Sequence, residues 1–125
     1  KKIAKAAASG ADSVILDLED GVAVNRKEEA RATIVEALKT LDFGRSERLI
    51  RINAVGSGLE SDDMTQTLPA HPDGYVIPKV EHPEQIAWVA ERLAPFDRYE
   101  SWETGSIRLL APLFTCIAVI SGRNA

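Results

Sequence analysis

Asp17, Glu19 and Asp20 place three carboxylates within four positions, and Gly21 follows them directly. The short run Ser13-Val14-Ile15-Leu16 leads into them. Acids this close repel one another, so a fold must separate them, pair them with bases or give them a cation. Two readings stay open at this point. An apolar strand can deliver the acids to its C-terminal edge for chemistry, or they can form a solvated turn ahead of a helix. Arg51 is the second candidate, standing between Ile50 and Ile52 in a short apolar stretch. A guanidinium there lies either on an exposed face or in a site, where its fork clamps a carboxylate through two parallel hydrogen bonds. Lys79, after Ile77-Pro78, is a third. His71 and His82 lie beside prolines with no partner at metal-ligand spacing, and read as surface residues.

The elements that must hold these groups follow in order. Residues 1–9 are helix formers stopped by Gly10. Asp12 to Asp17 reads as the first strand, and Gly21 to Asn25 as a loop. Asn25 and Glu28 have capping-box spacing, which predicts a helix from Arg26 to about Thr40. Its apolar face is Ala30, Ile34, Ala37 and Leu38, and Arg26, Lys27, Glu28, Glu29 and Arg31 read mostly as its solvated face, with reach to an anionic ligand from the loop as the alternative for Arg26 or Lys27. Arg48 to Asn53 is a second strand, followed by the loop Gly56-Ser57-Gly58, too short to cradle a phosphate. Leu59 to Leu68 reads as a short acidic helix carrying Glu60, Asp62 and Asp63. Gly74 to Val80 is the third strand, ended by Pro78, which cannot donate to a central ladder. A helix opens at Pro83 and stops at Pro95, with Trp88 at the margin of its apolar stripe. Phe96 to Gly105 reads as a polar loop, and Ile107 to Ala111 as a fourth strand.

Strands starting near residues 13, 48, 74 and 107, with helices between them, give the rhythm of repeated βα units on a parallel sheet. A (β/α)₈ barrel needs about twice this length, so the choice lies between part of a barrel and a small doubly wound sheet. A doubly wound nucleotide binder carries a glycine-rich turn after its first strand. Here that turn is Leu18-Glu19-Asp20-Gly21, acidic where phosphate needs donors, which favours the barrel.

The whole sequence bounds the partners. A net charge of −4 over 125 residues argues against a nucleic-acid or anionic-membrane surface. No apolar run approaches the roughly 18 residues of a membrane span. Cys116 is the single cysteine, so no internal disulfide forms, and a reducing, cytoplasmic setting is expected. The chain opens on Lys1-Lys2-Ile3, already helical in pattern, which reads as a piece of a longer protein.

Taken as an ordered set, Leu16-Asp17-Leu18-Glu19-Asp20-Gly21-Val22-Ala23, Arg51-Ile52-Asn53 and Ile77-Pro78-Lys79-Val80-Glu81 resemble the citrate lyase β-subunit-like enzymes of the HpcH/HpaI aldolase superfamily, relatives of citramalyl-CoA and malyl-CoA lyases. The resemblance covers residues 1–111 and implies a partial TIM barrel, roughly its second to fifth βα units, with residues 112–125 a tail that diverges. It implies a homo-oligomer, usually a trimer, and Mg²⁺-dependent cleavage or formation of a carbon–carbon bond beside a CoA thioester. Acyl-CoA and an oxo- or hydroxy-acid are the implied ligands. Carried over, Arg51 resembles the arginine that grips the acid's carboxylate. Glu19 and Asp20 resemble the catalytic acidic pair beside the metal and its waters, without ligating it directly. Lys1 and Lys79 resemble lysines on the same rim that contact substrate or CoA.

The family's fourth visible strand carries a glutamate that ligates the metal. This chain agrees through Ile107 to Ala111, then turns to Pro112-Leu113-Phe114, and no carboxylate follows Glu103. The expectation is therefore lyase ancestry in an incomplete chain of doubtful activity. The alternatives are a non-catalytic half-barrel or interaction protein and, less favoured, a small doubly wound module binding an acidic metabolite.

Overall fold

The computed structural model describes residues 2–99, 106–113 and 116–121. Along the chain run α1 (Lys2–Ala7), β1 (Ser13–Asp17), α2 (Lys27–Thr40), β2 (Glu47–Arg51), α3 (Glu60–Thr67), β3 (Gly74–Val76), α4 (Pro83–Tyr99), β4 (Arg108–Leu113) and β5 (Cys116–Ser121). The sheet order is β1-β2-β3-β4-β5, with the first four strands parallel and β5 antiparallel to β4. Consecutive parallel strands laid side by side without a reversal have no switch point, which excludes the doubly wound alternative. The arrangement is that of part of a barrel wall.

Register divides the sheet into two faces. Val14, Leu16, Leu18, Ile50, Ile52, Tyr75, Ile77 and Leu109 pack in one core with Ala7 of α1, Ile34 and Leu38 of α2, Met64 of α3, and Val89 and Leu93 of α4. All four helices therefore contribute to one face, as crossovers of a single hand require. The opposite face carries a thin apolar band of Leu49, Val76 and Leu110, with Ile15 beside it and half-exposed. Below that band the Glu47 carboxylate pairs with Arg108 and accepts from Ser13 Oγ at 3.2 Å. Gly74 lies between Leu49 and Arg108 in register, and a Cβ there would stand 2.7 Å from the Arg108 carbonyl oxygen. No side chain fits at that crossing.

Several boundaries differ from the sequence reading. Asn25 does not cap α2: it lies in a 3₁₀ turn, Val24–Arg26, and the helix starts at Lys27 with no side-chain cap. The β3 ladder is three residues long, although Ile77 N–H still donates to Leu110 O at 2.8 Å before Pro78 ends the pairing. Helix α4 does not stop at Pro95 but runs to Tyr99. Pro95 and Glu91, whose carbonyl loses its donor, are both exposed, so water can replace the missing bond. That moves residues 96–99 out of the expected loop, while 100–105 lie outside the described residues. The stretch after Ala111 extends β4 and adds β5, and two intervening residues are too few for anything but an antiparallel return.

Candidate functional site

The C-terminal ends of β1, β2 and β3 bring Asp17, Glu19, Asp20, Arg51 and Lys79 to one edge of the sheet. Asp17 is the last residue of β1 and stands in register with Arg51, the last of β2. Arg51 Nε donates to Asp17 Oδ1 at 2.8 Å and Nη2 to Oδ2 at 2.7 Å, a side-on bidentate pair. Arg51 Nε also lies 3.5 Å from Glu19 Oε1. Lys79 Nζ makes an ion contact with Glu19 Oε2 at 2.8 Å and reaches Asp20 Oδ1 at 3.6 Å. The three acids are thus shared between two cations, which answers their mutual repulsion. Glu19 is buried and Asp20 is exposed, so the two members of the expected acidic pair meet different surroundings.

Charges respond accordingly. The Arg51 guanidinium holds the Asp17 carboxyl down at about 2, helped by backbone N–H groups of Glu19 and Gly21 and opposed by burial. Asp17 in turn raises Arg51 above its ordinary value. Lys79 is raised by its contact with Glu19 first and Asp20 second. Lys79 also has φ of +53°, a left-handed backbone in a non-glycine residue. Such conformations cost about 1–3 kcal/mol and gather where a side chain must be aimed.

Behind the edge lies a buried polar layer that sequence reasoning missed. Lys27, expected on the solvated face, is buried, and its Nζ donates to the carbonyls of Leu18 and Glu19 at 2.6 Å each. Arg31, also expected in solvent, is buried and donates to Asp63 Oδ1 at 2.8 Å. Asp63 Oδ2 accepts from the backbone N–H and Nδ2 of Asn53, both at 2.7 Å, and Asn53 Nδ2 also reaches Leu18 O at 2.9 Å. This chain of contacts ties α2 and α3 to the turn that carries Glu19 and Asp20. A signal was present: positions 27, 31, 34 and 38 form one helical stripe, as do 60, 63, 64 and 67. Charge at those positions masked a spacing that marks burial.

The remaining expectations fall as follows. Lys1 lies outside the described residues. His71 is half-buried, not at the surface, and its Nε2 lies 3.2 Å from Ser106 Oγ. His82 is exposed, and Trp88 sits half-buried under the Arg92 guanidinium at 3.9 Å. A cavity of about 580 Å³ opens beside β1, with Lys2, Asp17, Gly21 and Arg26 among its lining residues. No described helix is long and apolar enough to cross a membrane. Among the described residues no group of three or more His, Cys, Asp or Glu side chains converges to hold a metal. Glu19 and Asp20 are two adjacent oxygen donors already facing Lys79, a set suited to orient water beside an ion but too small to enclose one.

Comparison with known proteins matches residues 1–120 to the family described as HpcH/HpaI aldolase/citrate lyase, so the match continues past Ala111. The chain is 43% identical over 96 residues to the mitochondrial citramalyl-CoA lyase of Homo sapiens, covering 75% of this chain and 28% of that protein. It is 30% identical over 112 residues to citrate lyase subunit beta of Leuconostoc mesenteroides subsp. cremoris, covering 90% of this chain and 37% of that one. It is also 32% identical over 104 residues to a (3S)-malyl-CoA thioesterase of Cereibacter sphaeroides, 83% and 36% of the two chains. The chain thus spans roughly a third of the length of these relatives.

Proposed function

Since the chain belongs to the HpcH/HpaI aldolase/citrate lyase family, we propose that this sheet edge is the acid-binding side of an active site that cleaves or forms a carbon–carbon bond beside a CoA thioester. The carrying observation is Arg51: a guanidinium at a strand's C-terminal end, its inner edge held by Asp17, on the same edge as Glu19, Asp20 and Lys79. The hydroxy-acid thioesters named in the relatives, citramalyl-CoA and malyl-CoA, set the proposed substrate class, with citryl-CoA beside them. Arg51 grips the small acid's carboxylate. Were Mg²⁺ bound beside them, Glu19 and Asp20 would orient its water, while Lys79 balances their charge and reaches the substrate. Such an ion would supply Lewis-acid stabilisation of negative charge at the reacting carbonyl.

The test offers the purified chain, with Mg²⁺, each of the three thioesters and follows the acyl-CoA pool by mass spectrometry. A shortened acyl-CoA, lost in Arg51→Lys, supports the reading. Release of free CoA alone would make the chain a thioesterase, and a product unaffected by Arg51→Lys would remove the clamp from the mechanism.

A further inference from the structure

Asp17 is the one acid at this edge with nothing left to offer. An ionised carboxylate presents about four lone-pair positions. Oδ1 accepts the Glu19 N–H and Arg51 Nε–H, both at 2.8 Å. Oδ2 accepts the Gly21 N–H at 2.8 Å and Arg51 Nη2 at 2.7 Å. A proton, metal or substrate reaches Asp17 only by displacing one of these donors. Gly21 closes the remaining side, since a Cβ there would stand 2.6 Å from Oδ2.

Arg51 is the reverse case. It has spent Nε and one hydrogen of Nη2 on Asp17, and among the described residues Nη1 has no hydrogen-bond partner. What remains is the end-on fork of Nη1 and Nη2, on a side chain that is 34% exposed. We infer that Asp17 is a positioning residue: it locks the inner edge of Arg51 so that the outer fork stands ready for a small carboxylate. The inference rests on the clamp reading above and adds the group that sets its orientation.

Two physical effects of removing the Asp17 charge have opposite signs, which makes the role testable. By Coulomb's law alone, losing a carboxylate beside Arg51 removes repulsion from an incoming anion and tightens binding. If orientation dominates, losing the lock frees a flexible guanidinium that must be ordered again at each binding event, and affinity falls.

The probe is pyruvate, titrated by calorimetry into wild type, Asp17→Asn, Gly21→Ala and Arg51→Lys at constant ionic strength, with and without Mg²⁺. Gly21→Ala retains every charge and only pushes on Oδ2, so it reports on position alone. Asp17→Asn and Gly21→Ala are each expected to weaken pyruvate about tenfold, the scale of lost supporting partners. The Arg51 Nε–H resonance, distinct in wild type, should merge with those of the exposed arginines in both. Equal or tighter binding by Asp17→Asn, with binding lost in Arg51→Lys, overturns the positioning role and leaves the clamp standing. No pyruvate binding by folded wild type overturns the clamp and the positioning role together.

Discussion

Two arginine–aspartate pairs, one behind the sheet and one at its edge, share a 2.8 Å Nε–Oδ1 contact. Arg31 and Asp63 are 6% and 0% exposed, whereas Arg51 and Asp17 are 34% and 26% exposed. In the buried pair every contact is turned inward: Arg31 Nη2 also donates to Leu59 O, and Asp63 holds Asn53 through two bonds. In the edge pair the aspartate is saturated while the arginine keeps a fork open. The same residue types therefore build a joint in one place and a grip in the other. The difference lies in how many guanidinium hydrogens the surroundings leave unspent. The joint also serves the grip, because Asn53 and Lys27 both bond the Leu18 carbonyl, one peptide before Glu19.

Breaking the buried pair should have the largest effect. Asp63→Ala leaves Arg31 charged and unpaired in the interior and strips two donors of Asn53 of their acceptor, a change expected to cost about 3–5 kcal/mol. Urea unfolding monitored by circular dichroism checks this. A double replacement, Arg31→Met with Asp63→Leu, should recover much of the loss, since no orphaned charge remains. If the single and double variants were equally unstable, cavity and packing effects rather than the unpaired charge would dominate.

The edge pair should respond to acid more than to temperature. Asp17 is held at about 2 in the folded chain against an ordinary 3.8, so its folded pKa is depressed. Its contribution to stability is then present in full above about pH 4 and disappears as pH falls through about 2. The stability gap between wild type and Asp17→Asn should accordingly close across that window. A gap constant from pH 5 to about 2 would mean that the pair contributes nothing through charge. Chemical denaturation at a series of pH values decides it.

The smallest effect is expected from a third ion pair, Arg26, just before α2, with Glu29 in its first turn, 63% and 64% exposed. Solvent screens it and both side chains lose freedom in forming it, so Arg26→Ala should leave the thermal midpoint within the scatter of replicate melts. A clear drop would show that Arg26 acts through the cavity beside β1, which it lines, and not through Glu29.

Legibility in the sequence followed the same division. Glu19, Asp20, Arg51 and Lys79 stand at strand ends, where chain order and spacing already imply a common edge, and the structure brings them together there. Asp17 was visible as an acid of the cluster, but its pairing with Arg51 depends on strand register, which single-strand patterns do not specify. By charge, Lys27 and Arg31 read as solvent-facing and Glu60 and Asp63 as part of an acidic helix, yet all four are buried. Helical spacing alone would have put them inside, because burial follows the face a residue occupies, provided its polar atoms find partners.

The amino-acid sequence by itself determined the βα rhythm, the family and the strand-end acids, because these depend on local periodicity and on residue types at fixed separations. Tertiary structure alone decided that Asp17 is consumed by Arg51, that Lys27 grips the backbone of the acidic turn, and that Arg31 and Asp63 form a buried joint. Each of these joins residues from different elements at hydrogen-bond distance. Such contacts exist only once parallel strands are in register and helices are seated on one face of the sheet.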